Sequence, residues 1–142
     1  MNTRFPSGLL LVAAVAAVPL LAACGDDDEA TPVDADALEG RTFVATEFTP
    51  DGIVDGSEIA VTFEDGAVIV MAGCNTQRGG YSIADGVLSV DPMMSTMMAC
   101  DEALMAQDTS LATFFSSSPS IALDGDVLTV SGGDTELTLS AS

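Results

Sequence analysis

The chain is 142 residues long, about one domain's worth, and carries 22 Asp+Glu against 3 Lys+Arg, a formal net charge of -19. All three cations are Arg and there is no His or Lys. That excludes His-dependent nucleophiles, lysine Schiff-base and Ser-Lys catalysis, and His-ligated zinc, haem or iron. A surface this acidic repels phosphate backbones, so no nucleic-acid partner is expected, yet 48% hydrophobic residues are too many for a disordered acidic chain.

Residues 1–23 read as an export signal. Arg4 supplies a positive start, and Leu9 to Leu21 is an apolar run of 13 residues, short of the roughly 20 needed to span a bilayer and suited to a signal-peptide core. The run ends in Leu21-Ala22-Ala23-Cys24. Small residues before a cysteine resemble the lipobox of bacterial lipoproteins. The resemblance implies cleavage before Cys24, a thioether-linked diacylglycerol on its sulfur and acylation of the new amine. The expected location is therefore extracytoplasmic, lipid-anchored to the bacterial cell membrane or outer membrane. From Cys24 onward the formal side-chain charge is -20, so anionic headgroups repel the body and the expectation is a tethered domain. Residues 24–37 are acidic and without apolar periodicity, which reads as a flexible tether. Asp34 and Asp36 begin a calcium-loop spacing that Leu38 and Glu39 break.

Residues 38–140 form the globular part, mostly in period-2 stretches. A strand is predicted over Arg41 to Phe48. Ile59, Val61 and Phe63 share one face of the next, and Glu64-Asp65-Gly66 turns into a strand from Ala67 to Ala72. Gly80 to Ile83 and Val87 to Val90 flank Ala84-Asp85-Gly86. Ser120 to Leu123, Val127 to Ser131 and Thr135 to Leu139 form a meander around Asp124-Gly125-Asp126 and Gly132-Gly133. Asp-Gly and Gly-Gly between alternating runs are hairpin signals. A helix is predicted over Asp101 to Phe115, with Leu104, Leu111 and Phe115 on one face beside Ala103 and Ala112, and with Asp101 as its cap. The expected fold class is α+β, mainly β: a curved antiparallel sheet or partly open barrel of seven to eight strands with one covering helix.

Three pieces stand out. Gly73-Cys74-Asn75 follows a strand, Gly79-Gly80-Tyr81 opens the next, and Thr96-Met97-Met98-Ala99-Cys100 leads into the helix. Asn75 is suited to bridging its turn, and the Thr96 hydroxyl to satisfying loop backbone groups. Together with Leu38-Glu39-Gly40, Phe63-x-x-Gly66 and Leu128-Thr129-Val130, these pieces resemble the META domain, or HslJ-like, family over about Leu38 to Leu139. Phe43 departs from the pattern, standing where family members commonly carry Trp. The resemblance implies a small β-rich domain with one helix, found on secreted proteins or lipoproteins and associated with stress or envelope resistance. It carries over no catalytic activity and no catalytic residues, and no cofactor is expected. The matching positions are Gly73, Asn75, Gly80, Tyr81, Thr96, Met98 and Ala99.

Once Cys24 is lipidated, Cys74 and Cys100 are the two cysteines of an exported domain, and such a pair is expected to form a disulfide. Two buried free thiols and a redox-active pair are the alternatives. Met93, Met94, Met97, Met98 and Met105 are clustered in sequence. Thioethers with thiolates suit Cu(I), with Met93, Met94, Met97 and Met98 as the candidate ligands, and the plainer role is gap-filling between helix and sheet. Asp108-Thr109-Ser110 lacks the Gly of an aspartic-protease loop, and Asp124 and Asp126 are turn formers. The favoured function is a non-enzymatic envelope module whose partners are the membrane, through its anchor, and a protein or small hydrophobic ligand. The alternative is a copper-binding or thiol-redox sensor.

Overall fold

The computed structural model describes residues 32–142. The segment read as a signal peptide, Cys24 and the first part of the tether lie outside the described residues.

Alternation of apolar and polar residues builds the strands, and the Asp-Gly pairs reverse them. Nine strands form: β1 (Arg41–Thr49), β2 (Ala60–Glu64), β3 (Ala67–Met71), β4 (Thr76–Ala84), β5 (Val87–Val90), β6 (Met94–Ser95), β7 (Ser120–Asp124), β8 (Val127–Gly132) and β9 (Thr135–Ala141). Helix α1 (Glu102–Ser116) lies between β6 and β7. Every paired strand runs antiparallel to its neighbour in the order β3-β2-β1-β9-β8-β7-β5-β4, and pairing of β3 with β4 closes the ring. The result is an eight-stranded barrel, the expected mainly β architecture with one helix. The ninth strand, β6, is a two-residue addition to β4, with Gln77 opposite Ser95 and Arg78 opposite Met94.

The β2–β3 turn shows why the Asp-Gly signal works. Asp65 and Gly66 both sit at positive φ, 52° and 69°, the geometry of a two-residue turn whose twist matches the strands. The inward faces of β1 and β2 then meet. Phe43, Val61 and Phe63 are fully buried, and Phe43 packs edge-on to Phe63 with ring centroids 6.2 Å apart. The Arg41 guanidinium lies 4.8 Å from the Phe43 ring centroid. Between Ala45 and Glu47 the register with β9 shifts, a bulge that bends β1 around the barrel.

Three sequence expectations are corrected here. Gly79 and Gly80 do not open β4 but sit inside it, opposite Val68 and Ala67 of β3. The cause is close approach of the segment after β5: a Cβ on Gly79 would stand 2.8 Å from the Asp91 carbonyl oxygen. Asp101 is the N-cap residue of α1, but its side chain makes no capping hydrogen bond; its carbonyl accepts from the Met105 N–H at 3.0 Å. Within the stretch read as tether, Val33 is buried, Pro32 bridges Ala122, and Ala35–Ala37 form one 3-10 turn. The chain therefore joins the barrel before Leu38, because Val33 has core to cover.

The two ends of the barrel are closed differently. At one end the fully buried Leu38 enters the core, and the Glu39 carboxylate accepts from the Gly66 N–H and the Tyr81 hydroxyl, each at 3.0 Å. Arg41 pairs with Asp126 nearby at 3.1 Å. Helix α1 covers the other end, burying Leu111, Phe114 and Phe115, with the Phe114 ring 6.4 Å from that of Phe48. Among the described residues no helix is long and apolar enough to cross a membrane.

Candidate functional site

The helix-covered end gathers the pieces that stood apart in sequence. Gly73 is at φ +96°, and a Cβ there would stand 3.0 Å from Leu104 Cδ2 and 3.1 Å from Ser57 Cβ. Only glycine lets the β3–β4 turn pass so close beneath the helix. Cys74 and Cys100 are joined by a disulfide with a Cα–Cα distance of 6.0 Å, which ties that turn to the residue before the N-cap of α1.

Asn75 is the centre of the polar network. Its side-chain oxygen accepts from the Thr96 hydroxyl at 2.9 Å and from the Met98 N–H at 2.8 Å. Its backbone N–H and its side-chain amide both donate to Asp108 Oδ2, at 2.9 and 2.8 Å. One side chain thus holds the 96–98 segment to the β3–β4 turn and the turn to the helix. The Thr96 hydroxyl also accepts from the Thr76 N–H at 3.0 Å, the loop-satisfying role its sequence position suggested.

The helix contributes Gln107, which sequence reasoning did not single out, and Asp108, which it weighed only as part of an aspartic-protease loop. Gln107 Oε1 accepts from the Val54 N–H at 2.8 Å, and Gln107 Nε2 donates to the Ala72 carbonyl at 2.7 Å and to Ser57 Oγ at 3.1 Å. Asp108 receives both Asn75 donors, and its carbonyl accepts from Gln77 Nε2 at 2.9 Å. Gln77, Gln107 and Asp108 are the buried polar residues of the described chain. Loop backbone groups at a barrel end need partners, and these side chains supply them. Gln77 Oε1 and Asp108 Oδ1 are buried without a hydrogen-bond partner among the described residues.

Above this network runs a groove of about 450 Å³ lined by Gln77, Met93, Thr96, Met97, Met98, Met105 and Asp108, among others. A shallower depression along α1 shares Met105 and Thr109 with it and adds Glu102 and Ala106. Met97 is 95% exposed, Met98 61% and Met105 45%. These thioethers are not core fillers; Met93 alone of the cluster packs partly against the core. Of the four residues named as a copper set, Met93, Met97 and Met98 line the groove and Met94 does not. The disulfide takes both sulfurs that would have served as thiolates there. Groups of three or more His, Cys, Asp or Glu suited to a metal do not occur among the described residues.

Gly80 and Tyr81 belong to the opposite end. The Tyr81 hydroxyl donates to Glu39 and its ring lies edge-on to Phe63 at 5.1 Å. Burial first, then the hydrogen bond and negative charge of Glu39, push its pKa up to about 12. The seven motif residues therefore divide. Gly73, Asn75, Thr96, Met98 and Ala99 stand at the disulfide end, Tyr81 serves the Glu39 latch, and Gly80 gives room to the Asp91 carboxylate.

An eight-stranded barrel capped by one helix, latched at one end by Leu38-Glu39-Gly40 and at the other by a disulfide-linked Asn75 hub, defines a small β-barrel module. The family model of the META domain matches residues 36–142, and the chain belongs to that family. Among solved structures, the NMR structure of a protein from Burkholderia xenovorans is similar with a TM-score of 0.64 at 19% identity, covering 99% of each chain. A second NMR structure is similar with a TM-score of 0.65 at 20% identity, over 76% of this chain and 94% of the other. At these identities the likeness is one of fold. No curated protein matches the chain.

Proposed function

We propose that the protein is a non-enzymatic envelope lipoprotein whose META domain, tethered through an acylated Cys24, binds a partner at the membrane surface in a stress or resistance role. The observation that carries the binding reading is the groove on the helix-covered end. Met97, Met98 and Met105 stand exposed there, on a segment held by the disulfide and by Asn75. Unbranched thioethers are adaptable apolar contacts, and exposing several of them on a pinned frame costs solubility unless a partner covers them. The anchor reading is supported by Leu21-Ala22-Ala23-Cys24 after the apolar run. The non-enzymatic reading is supported by the lack of His and Lys and by Asp108, whose Oδ2 is committed to holding Asn75.

The test is native mass spectrometry of the protein extracted from its own membrane, beside a variant carrying Met97→Gln, Met98→Gln and Met105→Gln. A retained mass that the variant loses supports the reading. A bare polypeptide from both, or an adduct indifferent to the substitutions, overturns it.

A further inference from the structure

The groove has a charge environment that narrows its partner. The described residues hold 18 acidic side chains against Arg41 and Arg78. Arg41 is engaged with Asp126 at the far end of the barrel. Arg78 follows Gln77 on β4, and since successive strand residues alternate faces, it points away from the groove that Gln77 lines. The groove itself thus has no cation in its lining. Its margin along α1 is acidic: Asp101 and Glu102 stand exposed at the start of the helix, and Glu102 lines the adjoining depression.

The floor is polar in one sense only. Asp108 and Gln77 are 5% and 3% exposed, both line the groove, and each keeps one oxygen without a donor. Both unpartnered atoms are acceptors. The walls are thioethers, the floor offers acceptors, and the rim is negative. The depression along α1 extends the apolar strip past Met105, which gives the site the form of an open channel rather than an enclosed cavity.

We propose that this groove receives a cationic amphipathic peptide segment, its apolar face on Met97, Met98 and Met105 and its Lys or Arg side chains toward Asp101 and Glu102. The inference rests on reading the groove as a binding surface. Thioethers accommodate varied apolar faces, and the acidic field steers a basic partner while rejecting anionic ones. The same field disfavours anionic lipid headgroups, so the partner taken from the membrane environment is a basic peptide or protein segment and not the bilayer.

The test uses the mature lipidated protein in zwitterionic nanodiscs, with empty nanodiscs as reference. Two labelled 15-residue peptides share one Leu face; one carries Lys on its polar face, the other Gln at the same positions. Anisotropy titrations at 0.01 M and 0.15 M salt are expected to show the Lys peptide binding about tenfold tighter or more at low salt, with the margin shrinking as the Debye length falls from about 30 Å to about 8 Å. The Met97→Gln, Met98→Gln, Met105→Gln variant should lose about tenfold with its melting temperature unchanged, because these side chains are exposed. A second variant, Asp101→Asn, Glu102→Gln, should bring the Lys peptide down toward the Gln peptide's affinity. Equal binding of the two peptides, each lost in the methionine variant, overturns the charge inference and leaves the binding surface standing. Lys-peptide binding indifferent to the methionine substitutions also overturns the inference, placing the contact elsewhere on the acidic surface. Binding of neither peptide overturns it too. The native-mass measurement above then decides separately whether the groove holds anything else, a small hydrophobe or Cu(I) included.

Discussion

Removing the Cys74–Cys100 crosslink should act almost entirely on the unfolded chain. The bond spans 26 residues, and closing a loop of that length lowers the entropy of the unfolded ensemble by about 3.5 kcal/mol at 25 °C in the chain-entropy model. The folded state loses little, because Asn75 still holds the Met98 N–H, the Thr96 hydroxyl and Asp108 after the sulfurs part. Both cysteines are half-buried, so serine at either position leaves no large cavity. Cys74→Ser, Cys100→Ser and the double variant should therefore each lose about 3 to 4 kcal/mol. For a domain of roughly 110 residues, with an unfolding entropy of about 2.1 cal/mol/K per residue, that lowers Tm by about 15 °C. Urea melts followed by far-UV circular dichroism measure both quantities, and the m-value should rise because the uncrosslinked unfolded chain exposes more surface. The reasoning fails if the two single losses add in the double variant, or if each is below about 1 kcal/mol.

Tyr81 is the one tyrosine in a chain without Trp, so phenolate absorbance near 295 nm reports on it alone. Its pKa is raised from 10.0 to about 12, which means the folded state holds the proton that the unfolded chain releases. The stability from this latch is fully present below pH 10 and is lost as pH rises toward 12. Glu39→Gln should move the phenol titration back toward 10; an unchanged midpoint would remove Glu39 from the explanation. Asp108→Ala leaves the Asn75 N–H and side-chain amide without their shared acceptor and should cost roughly 2 to 4 kcal/mol in the same urea melts; a loss within error would mean the hub is not a support. Cys24→Ser should abolish incorporation of labelled fatty acid and free the protein from the membrane fraction or leave it unprocessed. Label retained by that variant would show that Cys24 is not the acylated residue.

The hairpins were legible because their signal is local. Asp65-Gly66 and Asp85-Gly86 occupy positive φ, which few other pairs tolerate, and the alternation of Val61 and Phe63 needs only the pleat to be read. What stayed hidden was set by distant parts of the chain. Gly79 and Gly80 look like the start of a strand until the Asp91 carbonyl is seen against Gly79 and the Asp91 carboxylate against Gly80. Strand β6 has two residues and no period to detect. Gln107 and Asp108 are polar residues inside the predicted helix, and both lie three or four residues from Leu104 and Leu111, the spacing of one helical face. Polar residues at core spacing were the available signal for the hub. The methionines carried no such sign: a run of Met reads as filler by composition, and only the packing of β6 and α1 leaves Met97 and Met98 outside.

The central claim is that the groove over the Asn75 hub is the surface on which a basic partner settles. Methyl-¹³C labelling of methionine, with the Lys peptide titrated into the nanodisc-bound protein, tests it directly. Met71 and Met94 are exposed but do not line the groove, so they serve as internal references. The account predicts saturable shifts at Met93, Met97, Met98 and Met105, with Met71 and Met94 still. Shifts spread evenly over all six, or confined to Met71 and Met94, would contradict it.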